Sequence, residues 1–349
     1  MRVFAALLAL GLLASSAAAA SKVKKLINRL GPATGADQTR VITALGAADS
    51  DEDEAAAALI AVFDVRKAPP RHSAAVVAAL GRLKDKRAVV PLTDAWDYLN
   101  TLRLRMELPA HLQVLRASVV ESLGLIGDRR ALPVLLSALE DPDGLVVQRA
   151  CAALGRMREK KAVPYIMELL GGGGDTAQSA YEALGEIGDT RALGVLERGL
   201  KSEDLFLRAQ AAYALAKLGE KAGDKVLEKL LGGDPRGSKS GILAAYYLAR
   251  LDSNRGLDYL VNLLEKKGSP LRAAAAEALG KSGNQKAALS LAEQFDSPDR
   301  DLKLMIVRAL GRLGGKRAVY QLYKAVEDPD RTVADSARAA LADLGEWAD

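Results

Sequence analysis

The chain has 349 residues, with 49 Lys and Arg against 44 Asp and Glu and a formal net charge of +5. The two signs are interspersed, which excludes the concentrated basic footprint of a nucleic-acid binder. Aromatic residues supply only 4% of the chain and apolar residues 49%, a balance suited to many closely packed, alanine-rich helices rather than one large aromatic core.

The chain opens with Met1-Arg2, an apolar run from Val3 to Leu13 and the small-residue exit Ala18-Ala19-Ala20. A charged start, a short apolar stretch and an A-x-A exit predict a secretory signal peptide over 1–20, cleaved after Ala20. A retained membrane anchor is the alternative, although the run falls short of the roughly 20 apolar residues that cross a bilayer. No integral membrane span is expected after cleavage. The single cysteine, Cys151, permits no disulfide within the chain and reads as a small buried hydrophobe. No asparagine starts a glycosylation sequon, so the expected address is the periplasm or cell envelope of a bacterium.

Residues 49–54, "DSDEDE", set Asp49, Asp51 and Asp53 at the spacing of a calcium loop. Glu54 stands where such a loop needs glycine and Ile60 where it needs glutamate, so no metal site is predicted. The carboxylates instead belong in the first turn of a helix, at its positive dipole end.

From Leu45 onward an "A-L-G" mark recurs at Leu45, Leu80, Leu123 (there with Ser122 for the alanine), Leu154, Leu184, Leu279 and Leu310, with an alanine in place of the glycine after Leu215, Leu248 and Leu341. From Leu123 the spacings are 31, 30, 31, 33, 31, 31 and 31 residues; before it they are 35 and 43. After each mark a second apolar register follows at a 3-then-4 spacing, as in Leu132, Leu135, Leu139 and Val163, Ile166, Leu170, the stripe of an amphipathic helix. Breakers such as "EDPDG" (140–144) and "GGGG" (171–174) separate the units. Each unit therefore reads as first helix, tight turn, second helix, loop. Each recurring glycine costs about 1 kcal/mol of helix propensity, so a close approach of the paired helix is expected there.

The interval from Leu80 to Leu123 carries a surplus of 12 residues that includes "TLRLRMELPAH" (101–111). Its alternation of apolar and charged residues imitates a strand. The stripe Leu92, Ala95, Leu99, Leu102, Met106 nevertheless continues a helix without a break, and Pro109 ends it. The added turns would lengthen one helix pair and project its tip. Two readings stand: the tip covers the irregular first repeats, or Trp96, Tyr98, Arg103, Leu104, Arg105 and Leu108 form a partner-docking arm.

Arg87, Arg130, Lys161, Arg191, Arg255, Lys286 and Arg317 each sit two residues before a second-helix register, mostly preceded by a helix N-cap residue type. A cation in a first turn opposes the helix dipole, so something else must hold it. Either the row is a structural ladder bonded to the adjacent repeat, or it is an edge of anion sites.

The stretch "VESLGLIGDRRALPVLLSALEDPDGLVVQRACAALGRM" (120–157) resembles the HEAT-like repeats of the bilin-lyase type, and the resemblance covers nearly the whole mature chain. It implies an all-α fold, a right-handed superhelical α-solenoid of about ten stacked helix pairs. The solenoid would fill 21–349, with irregular first repeats over 21–110 and regular ones over 111–349. Residues 21–30 and the C-terminal segment "ARAALADLGEWAD" (337–349), with Trp347 over the last apolar face, would cap it.

The HEAT-like deoxyhypusine hydroxylases carry His-Glu dyads as metal ligands. Here His72 and His111, the only histidines, precede Ser73 and Leu112. "GGDPRGSKSG" (232–241) nearly spells a phosphate-binding loop but is one residue out of register and follows no strand. With no catalytic, metal or cofactor constellation found, and with export arguing against bilin chemistry, the sequence reading is a non-enzymatic protein-interaction scaffold of the envelope with no cofactor. The alternatives are an enzyme or enzyme subunit of lyase type, or a binder of anionic envelope polymer.

Overall fold

A computed structural model describes residues 22–48, 51–232 and 238–346. The expected signal peptide, Asp49, residues 233–237 of the near phosphate loop and Trp347 lie outside the described residues. Among the described residues there are α-helices, 3-10 turns and loops, and no strand. Contacts divide the chain into two compact units, Met1–Met157 and Arg158–Asp349, where the sequence reading has one continuous domain.

In the first unit the marked first helices are Gly35–Gly46, Pro70–Leu83, Ala110–Ile126 and Gly144–Arg156, each packed on the next. In the second unit they are Gly174–Ile187, Leu205–Lys217, Lys239–Arg250, Arg272–Ser282, Arg300–Leu313 and Arg331–Asp343, again in sequential contact. Every leucine of the mark is buried. Cys151 is wholly buried, and burial pushes its thiol up to about 12, so it stays protonated at neutral pH.

The regular second helices begin with a 3-10 turn, as in Arg129–Ala131 followed by Leu132–Ser137, or Lys160–Ala162 followed by Val163–Glu168. Pro133 and Pro164 fall at the start of the α-helical part, where a missing N–H costs no hydrogen bond. Arg87, Arg130, Lys161 and Arg191 therefore stand in the 3-10 turn just ahead of the α-helical first turn expected, Lys286 is the N-cap of its helix, and Arg255 and Arg317 stand in the α-helical first turn itself.

The recurring glycines do mark a close approach, but to a different helix from the expected one. A Cβ on Gly46 would lie 2.4 Å from Ala79 Cβ, one on Gly124 2.2 Å from Ala153 Cβ, and one on Gly280 2.5 Å from Ala309 Cα. Ala79, Ala153 and Ala309 are the alanines of the following mark. The "A-L-G" triplet is thus an interlock in which the glycine of one repeat receives the alanine of the next. Two repeats of the second unit carry Ala216 and Ala249 in place of the glycine. There the close approach moves to the repeat's own second helix: a Cβ on Gly223 would lie 2.6 Å from Ala216 N, and one on Gly256 2.8 Å from Ala249 N.

The long pair is helical on both sides, Val89–Arg105 and Ala110–Ile126, each 17 residues. The first helix ends at Arg105 rather than running on to Pro109, because Met106 is extended (φ −156, ψ 157) and turns Leu108 back into the core at 5% exposure. Gln113 Nε2 donates to the Leu108 carbonyl at 2.9 Å and fixes that return. The carboxylates of Glu52, Asp53 and Glu54 fall in the first turn of Glu52–Val62.

The interlock predicts opposite signs for two Gly-to-Ala changes. Gly280→Ala should destabilise by about 1–3 kcal/mol through overpacking, despite gaining about 1 kcal/mol of helix propensity. Gly194→Ala, with nothing within 4 Å of the new Cβ, should stabilise by about 0.4–1 kcal/mol. Urea melts of both variants check this; equal effects would remove the steric account.

Candidate functional site

The basic row is bonded into the repeats. Arg130 Nη2 donates to the Lys86 carbonyl at 2.8 Å and Arg130 Nε to Asp128 Oδ1 at 3.0 Å. Arg191 repeats the arrangement with the Lys160 carbonyl at 2.6 Å and Asp189 Oδ1 at 3.0 Å, and Arg87 with the Asp53 carbonyl at 2.8 Å and Asp85 Oδ2 at 2.9 Å. Lys286 Nζ reaches Asn254 Oδ1 at 3.1 Å, and Arg255 pairs with Glu228 at 3.0 Å. Lys161 contributes its backbone N–H to Glu159 at 3.1 Å, and Arg317 is exposed. In each Asp-Arg turn the carboxylate accepts from both the backbone and the guanidinium of the residue two positions on, and Nη2, shared with the carboxylate, also reaches the preceding repeat. Five members of the row thus hold protein partners in the preceding repeat.

These turns make acid stability local. The Arg130 guanidinium, with its backbone N–H, holds the Asp128 carboxyl at about 2, and Arg191 holds Asp189 likewise at about 2. A depressed folded-state pKa contributes stability that is complete above the ordinary value of about 3.9 and is lost as pH falls through about 2. The double variant Asp128→Asn, Asp189→Asn should therefore lose less stability than wild type between about pH 4 and pH 2; an unchanged slope would show that the turns do not titrate with folding.

The long pair gathers part of the expected docking set and buries the rest. Leu104 and Met106 are 77% and 54% exposed, with Arg105 exposed beside them. Trp96 is buried beneath the Arg116 guanidinium, 5.1 Å from its ring centre, and Leu108 is buried as described, so neither is presented at the surface. Tyr98 is half-buried under Arg66, and Arg103 is half-buried with its Nε lacking a partner. Arg116 itself is 1% exposed and is held by Asp141 and by Asn100 Oδ1 at 2.7 Å. A buried ion pair of this kind is expensive to break, so it fixes the base of the long pair.

Sequence reasoning missed a cluster on the first helices of the second unit. Arg250 donates to Glu182 Oε2 at 2.7 Å and to Glu186 Oε1 at 3.1 Å, while Tyr213 and Tyr247 donate to the same two carboxylates at 3.0 and 3.2 Å. Tyr213 and Tyr247 stack with ring centres 4.5 Å apart, and the Arg250 guanidinium lies 4.8 Å above Tyr213. Burial pushes the Tyr213, Tyr246 and Tyr247 hydroxyls up, leaving them as neutral donors. Burial works against the Arg250 charge, but the tyrosines and Glu182 around it more than restore it. The available signal was the spacing of Glu182 and Glu186, which sets two carboxylates one turn apart on one helix face.

Such an array of stacked helix pairs defines a class of helical repeat proteins, and the sequence places the chain within it. HEAT repeats match residues 103–176, 174–242 and 238–302, and the chain belongs to that family. It is 30% identical over 144 residues, 37% of this chain and 54% of the relative, to a phycocyanobilin lyase subunit alpha of Picosynechococcus sp. (strain PCC 7002). It is 30% identical over 179 residues, 48% of this chain and 54% of the relative, to the deoxyhypusine hydroxylase of Candida albicans. The chain therefore spans about half the length of these curated relatives. Among solved structures, the CpcE–CpcF complex of phycocyanin lyase from Nostoc sp. PCC7120 aligns with 81% of this chain and 94% of that one, at 21% identity and a TM-score of 0.41.

These relatives overturn the reading of a non-enzymatic scaffold, since the matched proteins are named as a lyase subunit and a hydroxylase. The recurring marks carry packing alone, so the lack of a catalytic motif among them did not exclude an enzyme. The dyads of the hydroxylase resemblance do not fit this chain. Ser73 and Leu112 follow its two histidines, and among the described residues no group of three His, Cys, Asp or Glu side chains could hold a metal.

Proposed function

We propose that this protein is an enzyme subunit of lyase type that works with a protein partner. The observation that carries the reading is the 30% identity to phycocyanobilin lyase subunit alpha over 144 residues. On this reading the partner docks at the tip of the long helix pair, where Leu104 and Met106 expose apolar surface beside Arg105. The reading includes export to a bacterial envelope, supported by the pattern of residues 1–20. Among the described residues no helix is long and apolar enough to cross a membrane.

The test uses the chain isolated from its native host, whose first residue is Ser21 if it is exported and Met1 if it is not. Titration with phycocyanobilin, with and without the co-purifying protein, should give a saturable change in visible absorbance. Leu104→Ser with Met106→Ser should lose the partner at an unchanged melting temperature. Strictly additive spectra in both preparations would refute the lyase reading, and a partner retained by the double variant would remove the tip from it.

A further inference from the structure

The contrast that matters is between bonded and unbonded cations. Most of the basic row is bonded to protein, whereas three of four basic side chains gathered at one cleft of the first unit are not. Arg40, Arg71, His72 and His111 line one cleft of about 940 Å³ between the starts of the helices Gly35–Gly46, Pro70–Leu83 and Ala110–Ile126. Both histidines of the chain are therefore in it, and no carboxylate lines it. Among the described residues Arg40, Arg71 and His111 form no hydrogen bond or ion pair. Asp37, the one acidic residue in these first turns, is engaged by Arg29 at 3.0 Å.

Three further features point the same way. The N-caps of the three helices are Thr34, Pro69 and Pro109, and none supplies a side-chain bond to the first-turn amides. The later first helices at Gly144, Leu205, Arg300 and Arg331 are each capped by an aspartate instead. His72 Nε2 lies 2.9 Å from the Gly35 carbonyl. A carbonyl only accepts, so Nε2 carries the proton and the ring is held in place. An adjoining cleft of about 420 Å³ shares Pro69 and His72 and contains Ser73. Ser73 is 1% exposed and its Oγ has no partner.

The Arg40 and Arg71 guanidiniums, with no counter-charge in the cleft, raise the free energy of the folded chain, and an arriving anion removes that cost. Gly35, Ala36 and Pro69 add carbon surface to the wall. The volume is that of a small-molecule site with a few convergent polar groups. We propose that this cleft binds a small organic anion, an acidic group on an apolar body, with Arg40, Arg71 and His111 facing the charge and His72 as the positioned ring between them. This stands independently of the lyase reading.

Calorimetry of the full chain with 2-naphthoate tests it, with 2-naphthalenemethanol as the neutral analogue of the same shape. The expected result is saturable 1:1 binding of the acid, with the alcohol at least about tenfold weaker. Arg40→Gln with Arg71→Gln should weaken the acid by about tenfold or more, as loss of charge-assisted contacts does, at a melting temperature no lower than that of the wild type. His111→Gln, at an exposed position, should weaken it in the same direction and serves if the double variant misfolds. No saturable binding, equal binding of acid and alcohol, or affinity unchanged in these variants would each overturn the proposal.

Discussion

The structure depends on how closely successive first helices approach one another. Glycine in the middle of a helix is unfavourable by about 1 kcal/mol, yet most repeats of this chain keep it, because the next repeat's alanine, or Ser122 opposite Gly81, occupies the space a Cβ would fill. The separations of 2.2–2.9 Å between such a Cβ and Ala153, Ala309 or Ala340 leave room for a hydrogen and nothing larger. The leucine between alanine and glycine points into the core. One triplet therefore specifies both the burial and the spacing of a repeat.

Charge then secures what packing has set. The aspartate before each Asp-Arg turn caps the 3-10 turn and orients the arginine, whose Nη2 also donates to a carbonyl of the preceding repeat. The carbonyls of Lys86 and Lys160 also accept the backbone N–H of Val89 and Val163 at the start of the following helix, so the arginine adds a second, charged donor at the repeat junction. Glu182, Glu186 and Arg250 form a second tie, across three successive first helices of the second unit.

The repeat, its period and the helical nature of 101–105 were legible because packing periodicity is written in the residues that pack. The partner of each glycine was not, since a one-dimensional pattern shows that space is required without showing from which helix. Nor was the end of the long helix at Arg105, which is decided by Leu108 returning to the core. Sequence reading weighed motifs that recur, whereas the Arg40, Arg71 and His111 cluster and the Glu182–Arg250 cluster each occur once and come from three different repeats.

The most direct test of the interlock is a swap at Gly311 and Ala340, where only the Ala340 Cβ, at 2.9 Å, opposes a new Cβ and the Cα behind it stands at 3.7 Å. Gly311→Ala and Ala340→Gly should each destabilise alone. The double variant restores one glycine and one alanine to the contact and leaves total helix propensity unchanged. A urea-melt double-mutant cycle should therefore return the double variant close to wild type, with a coupling of about 1 kcal/mol or more. Simple addition of the two penalties would contradict the account.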